Sequence, residues 1–193
     1  MNRYVKLIGG IALLVVLLGG SYFLYNNLSE KYTTGSNLMT NEDKKDDNQE
    51  SKEPEKAAAL DFTVIDRNNQ EKTLFSFKGK PVVLNFWASW CGPCNYEFPD
   101  FQKAYEQYGK DIEFVMVNLT DGSRETKETA EKHIDSNGYT FPIYFDVNQD
   151  AANTYAIYSI PTTYFIDKDG YIVASARGML EAKALQTGID MIR

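Results

Sequence analysis

Two cysteines stand between a predicted buried strand and a predicted helix, and this arrangement constrains the fold more than any other feature of the sequence. The run 81–88 is almost continuously apolar, as expected for a strand that is covered on both faces. After Cys91 and Cys94, apolar residues recur at intervals of three and four up to Tyr108, which predicts a helix that Gly109 can close. The cysteines therefore lie where a central strand passes into its helix.

Strands and helices alternate along the rest of this region. The predicted strands are 61–66, 72–75, 112–119, 141–146, 162–166 and 171–176, and the predicted helices run from a cap at Ser123 to about residue 137, from 150 to 158 and from 180 to 192. The turn-rich residues 67–70 predict a hairpin between the first two strands, and residues 167–170 form a strong hairpin turn between the last two. The pattern predicts a three-layer α/β sandwich whose sheet is parallel in the middle and carries an antiparallel hairpin at one edge.

The N-terminal residues have the composition of a membrane anchor. Arg3 and Lys6 precede a stretch that has no charged residue until Glu30. Within this stretch residues 7–25 would span about 28 Å as a helix, close to the hydrocarbon thickness of a bilayer. The positive charges predict that residues 1–6 are cytoplasmic and that everything after residue 25 lies outside. A cleaved signal peptide is the alternative, and it would also export the rest of the chain.

A change of composition at residue 60 predicts a domain boundary. Residues 26–59 hold eight acidic and five basic residues and few apolar ones, which predicts a flexible, disordered linker. Residues 60–193 suit one compact domain. The net charge of −7 argues against nucleic acid as a partner, because a protein that binds phosphates needs a basic face.

The position of the cysteines predicts redox chemistry. Unpaired N–H groups and the dipole at a helix N-terminus stabilise an anion, so the pKa of Cys91 should fall below the free value of about 8.5. Cys91 precedes the first turn and should be exposed, whereas Cys94 lies one turn inside the helix and should be buried. We therefore expect Cys91 to attack a substrate disulfide and Cys94 to resolve the mixed disulfide.

Two other interpretations of the cysteine pair are weaker. A purely structural disulfide would stabilise little, because a loop of four residues loses little entropy on closure. A zinc site would need two more ligands, and His133 is the only other classical ligand besides carboxylates. His133 is predicted to lie at the surface of a charged helix. We expect no metal and no cofactor beyond the redox-active disulfide between Cys91 and Cys94.

The segment 90–94, Trp-Cys-Gly-Pro-Cys, is identical to the active-site motif of thioredoxins, and the domain resembles the thioredoxin superfamily. Thioredoxin-like proteins place a cis-proline opposite the cysteines, and the segment 160–163 looks like the one that contains it. The resemblance implies a substrate groove lined by Trp90, Gly92, Pro93, Ile160 and Pro161.

Within the superfamily, the chain most resembles the exported, membrane-anchored thiol–disulfide oxidoreductases of the TlpA/ResA type. The 43 positions from Asn118 to Pro161 leave room for the extra helix and strand of that subfamily. Asn85 stands where thioredoxins carry a buried aspartate. Glu97 stands three residues after Cys94, where the subfamily has a glutamate, and the resemblance implies that it takes the proton of Cys94.

The resemblance also implies a location, partners and a direction of electron flow. It implies a single-pass protein of the cytoplasmic membrane with its catalytic domain on the extracytoplasmic side. This protein would reduce disulfides in exported proteins, with cytochrome c maturation as one family task, and a transmembrane electron donor of the CcdA/DsbD type would recharge it. The Gly-Pro dipeptide between the cysteines favours reduction.

Three alternatives to this function stay open. The first is an oxidase that forms disulfides in exported proteins. The second is a peroxidase of the peroxiredoxin type, which would need a threonine and a proline shortly before its reactive cysteine, and the segment 86–90 does not supply them. The third is a binding module without catalysis.

Overall fold

The computed structural model describes residue 19, residues 38–40 and residues 57–193. Within these residues it contains the strands β1 (Leu38–Thr40), β2 (Ala57–Ala58), β3 (Thr63–Ile65), β4 (Glu71–Thr73), β5 (Val82–Trp87), β6 (Glu113–Asn118), β7 (Ile143–Phe145), β8 (Thr162–Ile166) and β9 (Tyr171–Arg177). The α-helices are α1 (Gly92–Tyr108), α2 (Lys127–Ser136), α3 (Asp150–Thr154) and α4 (Ala182–Ile192), and Leu74–Phe77 forms a short 3-10 helix.

Most of the predicted N-terminal anchor lies outside the described residues. The predicted cytoplasmic segment 1–6 and the predicted anchor 7–25 belong there, with the exception of residue 19. Among the residues that the structure describes, no helix is both long enough and apolar enough to cross a membrane.

The strands form one mixed sheet in the order β1-β9-β8-β5-β6-β7-β3-β4, and β2 also pairs with β9. β5, β6 and β7 are parallel, which confirms the predicted parallel centre. β8 runs antiparallel to β5, and β9 runs antiparallel to β8. On the other side of the parallel centre β3 is antiparallel to both β7 and β4, so antiparallel strands flank the centre on both sides rather than at one edge.

Two apolar cores cover the two faces of the sheet, in agreement with the predicted three layers. The residues of β5 alternate between them, because successive side chains of a strand point to opposite faces. Val83 and Trp87 belong to the core under α1, α2 and α4, whereas Leu84 and Phe86 belong to the core on the other face, which includes residues of the 3-10 helix and of α3. Asn85 shares the face of Val83 and Trp87, so its amide is directed toward α1.

Two predicted helix boundaries were wrong. α2 begins after Thr126, whose hydroxyl oxygen accepts the backbone N–H of Thr129, so Ser123 is not its cap. Ser123 belongs instead to a turn in which its backbone N–H donates to Asp121. α3 ends at Thr154 rather than at residue 158, because the backbone turns into the left-handed region at Ala156, with φ 48°.

Parts of the predicted flexible linker are strands. β1 pairs with β9 in the register Leu38↔Ala176, and β2 pairs with β9 in the register Ala57↔Ile172. The prediction of a linker over 26–59 is therefore wrong at residues 38–40 and 57–58. Composition predicted disorder because the segment has few apolar residues, but the pairing uses backbone groups, which composition does not register.

Candidate active site

The two cysteines lie at the N-terminus of α1 and form a disulfide. Their Cα atoms are 5.3 Å apart. Cys91 is the residue before the first helical turn, and its Sγ accepts the backbone N–H of Cys94 at 3.2 Å. Its own backbone N–H donates to the carbonyl of Ala88 at 3.1 Å, within the turn that follows β5. The sulfur of Cys91 is therefore placed where the helix can stabilise a thiolate, as the sequence predicted.

The predicted difference in exposure between the cysteines is small. Cys94 is fully buried, as predicted, but Cys91 is only 4% exposed, so the prediction of an exposed Cys91 was wrong. Its sulfur turns back over the first turn of α1 to accept the N–H of Cys94, and this geometry covers it. Cys91 remains the more accessible of the two cysteines, and the order of attack stays a prediction.

The structure brings the predicted groove residues to the same end of the sheet as the cysteines. The peptide bond between Ile160 and Pro161 is cis, as predicted. The pair Phe86↔Thr162 in the sheet register puts Pro161, the residue before β8, beside the end of β5 from which the cysteine turn emerges. Trp90, Gly92 and Pro93 are exposed, Ile160 is half-buried and Pro161 is buried.

Glu97 is buried in α1, one helical turn after Cys94. It is only 1% exposed. One carboxylate oxygen accepts the side-chain amide of Asn85 at 2.9 Å, and the other accepts the backbone N–H of Leu180 at 2.9 Å. The same Asn85 amide also donates to the hydroxyl of Thr163 at 3.0 Å. The two positions that distinguished the chain from thioredoxin in sequence, Asn85 and Glu97, are thus hydrogen-bonded to each other.

Burial controls the protonation of Glu97. Loss of solvation raises its pKa to about 8, although the hydrogen bonds from Leu180 and Asn85 favour the ionised form. At neutral pH Glu97 is therefore mostly a neutral acid. Its pKa is close to the ordinary value of a thiol, about 8.5, which is the match that proton exchange between a carboxyl group and a cysteine requires.

A second buried carboxylate, Glu125, was not singled out by the sequence. It is fully buried in the loop between β6 and α2. Its oxygens accept the backbone N–H of Ser89 at 2.8 Å, the hydroxyl of Ser89 at 2.6 Å and the side-chain amide of Asn118 at 2.6 Å. The neighbouring Arg124 lies over the ring of Trp90, 3.6 Å from its centroid. The sequence pattern placed Glu125 in the first turn of a helix capped by Ser123, and no spacing pattern marks this glutamate as buried.

His133 is not a free surface residue. Its ring packs against Trp87 and Phe98, with centroids 6.2 and 6.3 Å apart, and burial lowers its pKa. In the part of the chain that the structure describes, no group of three or more histidine, cysteine, aspartate or glutamate side chains is placed to hold a metal ion.

Comparison with known sequences settles the family. The sequence model of the AhpC/TSA family matches residues 56–175, which is more than half of the chain. The chain belongs to the AhpC/TSA family. The thiol–disulfide oxidoreductase ResA of Geobacillus kaustophilus is 30% identical over 195 residues, which cover 100% of this chain and 99% of ResA. The thioredoxin-like protein YneN of Bacillus subtilis is 34% identical over 136 residues, which cover 69% of this chain and 77% of YneN.

Solved structures of related proteins have the same fold. StoA from Bacillus subtilis aligns with a TM-score of 0.59 and 30% identity, over 69% of this chain and 98% of StoA. A DsbF homologue from Corynebacterium diphtheriae aligns with a TM-score of 0.64 and 28% identity, over 81% of this chain and 94% of that protein. Within the AhpC/TSA family the chain is thus a thioredoxin-like thiol–disulfide oxidoreductase of the ResA and StoA type, which confirms the predicted enzyme class and the thioredoxin-like fold of the domain.

Proposed function

We propose that this enzyme is anchored in the cytoplasmic membrane and reduces disulfides in exported proteins on the extracytoplasmic side. The observation that carries the proposal is the pairing of a disulfide at a helix N-terminus with a buried carboxyl group one turn further along. Cys91 supplies the nucleophile, and Glu97 supplies a proton site whose pKa, about 8, is close to that of a thiol.

The reaction transfers two electrons and two protons from the cysteine pair to the substrate disulfide. The Cys91 thiolate attacks one substrate sulfur, a mixed disulfide forms, and the other substrate sulfur leaves and takes up a proton. Cys94 then gives its proton to the ionised fraction of Glu97 and attacks the Cys91 sulfur. The second substrate sulfur leaves as a thiolate, which is then protonated, and the enzyme is left with its disulfide.

The environment of Cys94 favours the reducing direction. A cysteine pair is strongly oxidising when the protein stabilises a thiolate in its reduced form, because the disulfide is then readily reduced. Here Cys94 is fully buried, which disfavours a thiolate at this position, and Glu97 one turn beyond it is mostly neutral and adds no positive charge that would offset the effect of burial. The Gly-Pro dipeptide of reducing thioredoxins points the same way.

The N-terminal sequence supports the location. Residues 7–25 are uncharged and long enough to span a bilayer, and Arg3 and Lys6 before them favour a cytoplasmic N-terminus. A reductase outside the membrane needs a source of electrons, and a transmembrane carrier of the CcdA/DsbD type is the partner that we propose. Apocytochromes c, whose cysteines must be reduced before haem attachment, are the substrates that we would test first.

Trapping of mixed disulfides in membranes tests the activity. The Cys94→Ser variant should accumulate covalent adducts with exported proteins, resolved by electrophoresis without reductant, because no resolving thiol remains. The Cys91→Ser variant is the matched control and should form none. Adducts with Cys91→Ser alone would reverse the two roles, and adducts with neither variant would rule out disulfide exchange.

The redox state of the wild-type pair in native membranes tests the direction. Rapid alkylation should find Cys91 and Cys94 mostly as thiols, because the electron donor of a working reductase keeps the cysteine pair reduced. A mostly oxidised pair would favour an oxidase instead. The same membranes test the anchor, because the mature protein should resist extraction by high salt, whereas a soluble protein with a new N-terminus near residue 22 would identify a cleaved signal.

A further inference from the structure

Every polar group of Ser89, the residue two positions before Cys91, is occupied. Its backbone N–H and its hydroxyl donate to the Glu125 carboxylate at 2.8 and 2.6 Å. Its carbonyl accepts the side-chain amide of Asn95 at 3.1 Å. The turn that delivers the nucleophile is therefore held from two sides, by the loop after β6 and by α1.

The loop that carries Glu125 is itself fixed. The Asp121 carboxylate accepts the backbone N–H groups of Ser123 and Glu125 at 2.7 and 2.9 Å, and the backbone N–H of Gly122 donates to the carbonyl of Glu125 at 3.0 Å. Gly122 has a φ of 72°, a left-handed conformation that favours glycine. Since the loop holds its own shape, it can hold Ser89.

Among the described residues the Glu125 carboxylate accepts three hydrogen bonds, two from Ser89 and one from the side-chain amide of Asn118 at 2.6 Å. Asn118 ends β6, next to Trp87 at the end of β5, and so supports the carboxylate from the sheet. A buried acceptor with three donors orients the groups that bind it far more strictly than an exposed side chain does.

We propose that Glu125 is a positioning residue for the nucleophile: through Ser89 it holds the 88–91 turn so that the Cys91 sulfur stays over the backbone N–H of Cys94. This inference rests on the disulfide-exchange activity proposed above and assigns that activity a residue outside the cysteine motif. Arg124, next to it in the same loop, covers Trp90 at 3.6 Å and holds the surface side of the same turn.

A positioning role and a direct electrostatic effect of Glu125 predict opposite shifts in the pH at which the Cys91 thiolate forms in the Glu125→Gln variant. If the carboxylate acted on Cys91 through space, its negative charge would disfavour the thiolate, and Glu125→Gln would make the thiolate form at lower pH. If it positions Cys91, Glu125→Gln lets the sulfur leave the N–H of Cys94, and the thiolate forms at higher pH. Ser89→Ala separates the two effects further, because it removes one hydrogen bond and leaves the charge in place.

The test uses the full-length reduced protein. Alkylation of Cys91 by iodoacetamide is followed across pH, and the rate of reaction with a small aromatic disulfide is measured at neutral pH. Ser89→Ala and Glu125→Gln should both raise the pH midpoint of alkylation by about half to one unit and slow the reaction about three- to tenfold. Ser89→Thr keeps a hydroxyl and should restore most of the wild-type rate.

Controls separate this inference from simpler explanations. Glu128→Gln removes an exposed charge from α2 and should leave the midpoint and the rate unchanged. A lower midpoint in Glu125→Gln, an unchanged midpoint and rate in Ser89→Ala, or variants that only melt earlier would overturn the positioning role. The proposed function fails separately, if Cys91→Ser reacts with the disulfide as fast as the wild type.

Discussion

Replacing Glu97 by glutamine should remove a large part of the pH dependence of the stability of the oxidised protein. The carboxyl group has a pKa of about 8 in the folded chain, against an ordinary value of 4.5, because burial disfavours its charge. The folded protein therefore holds a proton that the unfolded chain has lost between these two values. Its contribution to stability is fully present below about pH 4.5 and is lost as the pH rises through 8.

The size of this effect follows from the shift. Each pH unit between the two pKa values changes the free energy of unfolding by about 1.4 kcal/mol. From about pH 5 to about pH 8 the wild type should lose about 3–4 kcal/mol relative to Glu97→Gln, a large part of the 5–15 kcal/mol typical of a domain. The glutamine fits the site once the side-chain amide of Asn85 turns over, because the Asn85 carbonyl oxygen, which has no partner within the described residues, then accepts the new N–H while the glutamine oxygen keeps the N–H of Leu180.

The assay is chemical denaturation of the oxidised wild type and variant at several pH values. Other groups, such as His133 and Asp146, titrate in both proteins, so their effects cancel in the difference between the two free energies. Glu106→Gln removes an exposed carboxylate of the same helix and should follow the wild type. If the wild-type and Glu97→Gln free energies run parallel within about 0.5 kcal/mol across this range, Glu97 has an ordinary pKa and the argument from burial is wrong.

Two further predictions concern stability alone. Gly188→Ala should lower the free energy of unfolding by about 1–3 kcal/mol, because a Cβ would lie 2.3–2.5 Å from the buried ring of Phe165; unchanged or higher stability in denaturant would show that the ring can move aside. Thr126→Ala should cost about 1 kcal/mol and Ser123→Ala less than about 0.5 kcal/mol in the same measurement, because only Thr126 caps α2, and equal losses would contradict that assignment.

The elements and the cysteine site could be predicted because their signals are local. The apolar run of β5 and the spacing of Phe98 and Phe101 in α1 each lie within one element, and both side chains are buried as predicted. The cis-proline could be predicted because Pro161 is found in a recognisable segment and only proline adopts a cis bond at low cost.

The polar network could not be predicted from the sequence, because its hydrogen bonds join distant residues. Glu97 binds Leu180, 83 positions away, and Glu125 binds Ser89, 36 positions away. The sequence does not distinguish a buried glutamate from an exposed one, because no periodic pattern of apolar residues marks the buried position. The prediction that Cys91 is exposed failed for a related reason, because its exposure depends on which way one side chain turns at the helix end.

The short strands β1 and β2 cover the backbone edge of β9. Without them β9 would be the last strand on its side of the sheet, with its backbone N–H and carbonyl groups along Ala174–Ala176 left without the pairing to β1. Such an edge is a template for another strand, including the same edge of a second copy. A shortened chain that begins at residue 60 would keep both cysteines but expose this edge, and we expect it to associate edge to edge at high concentration more readily than the full chain.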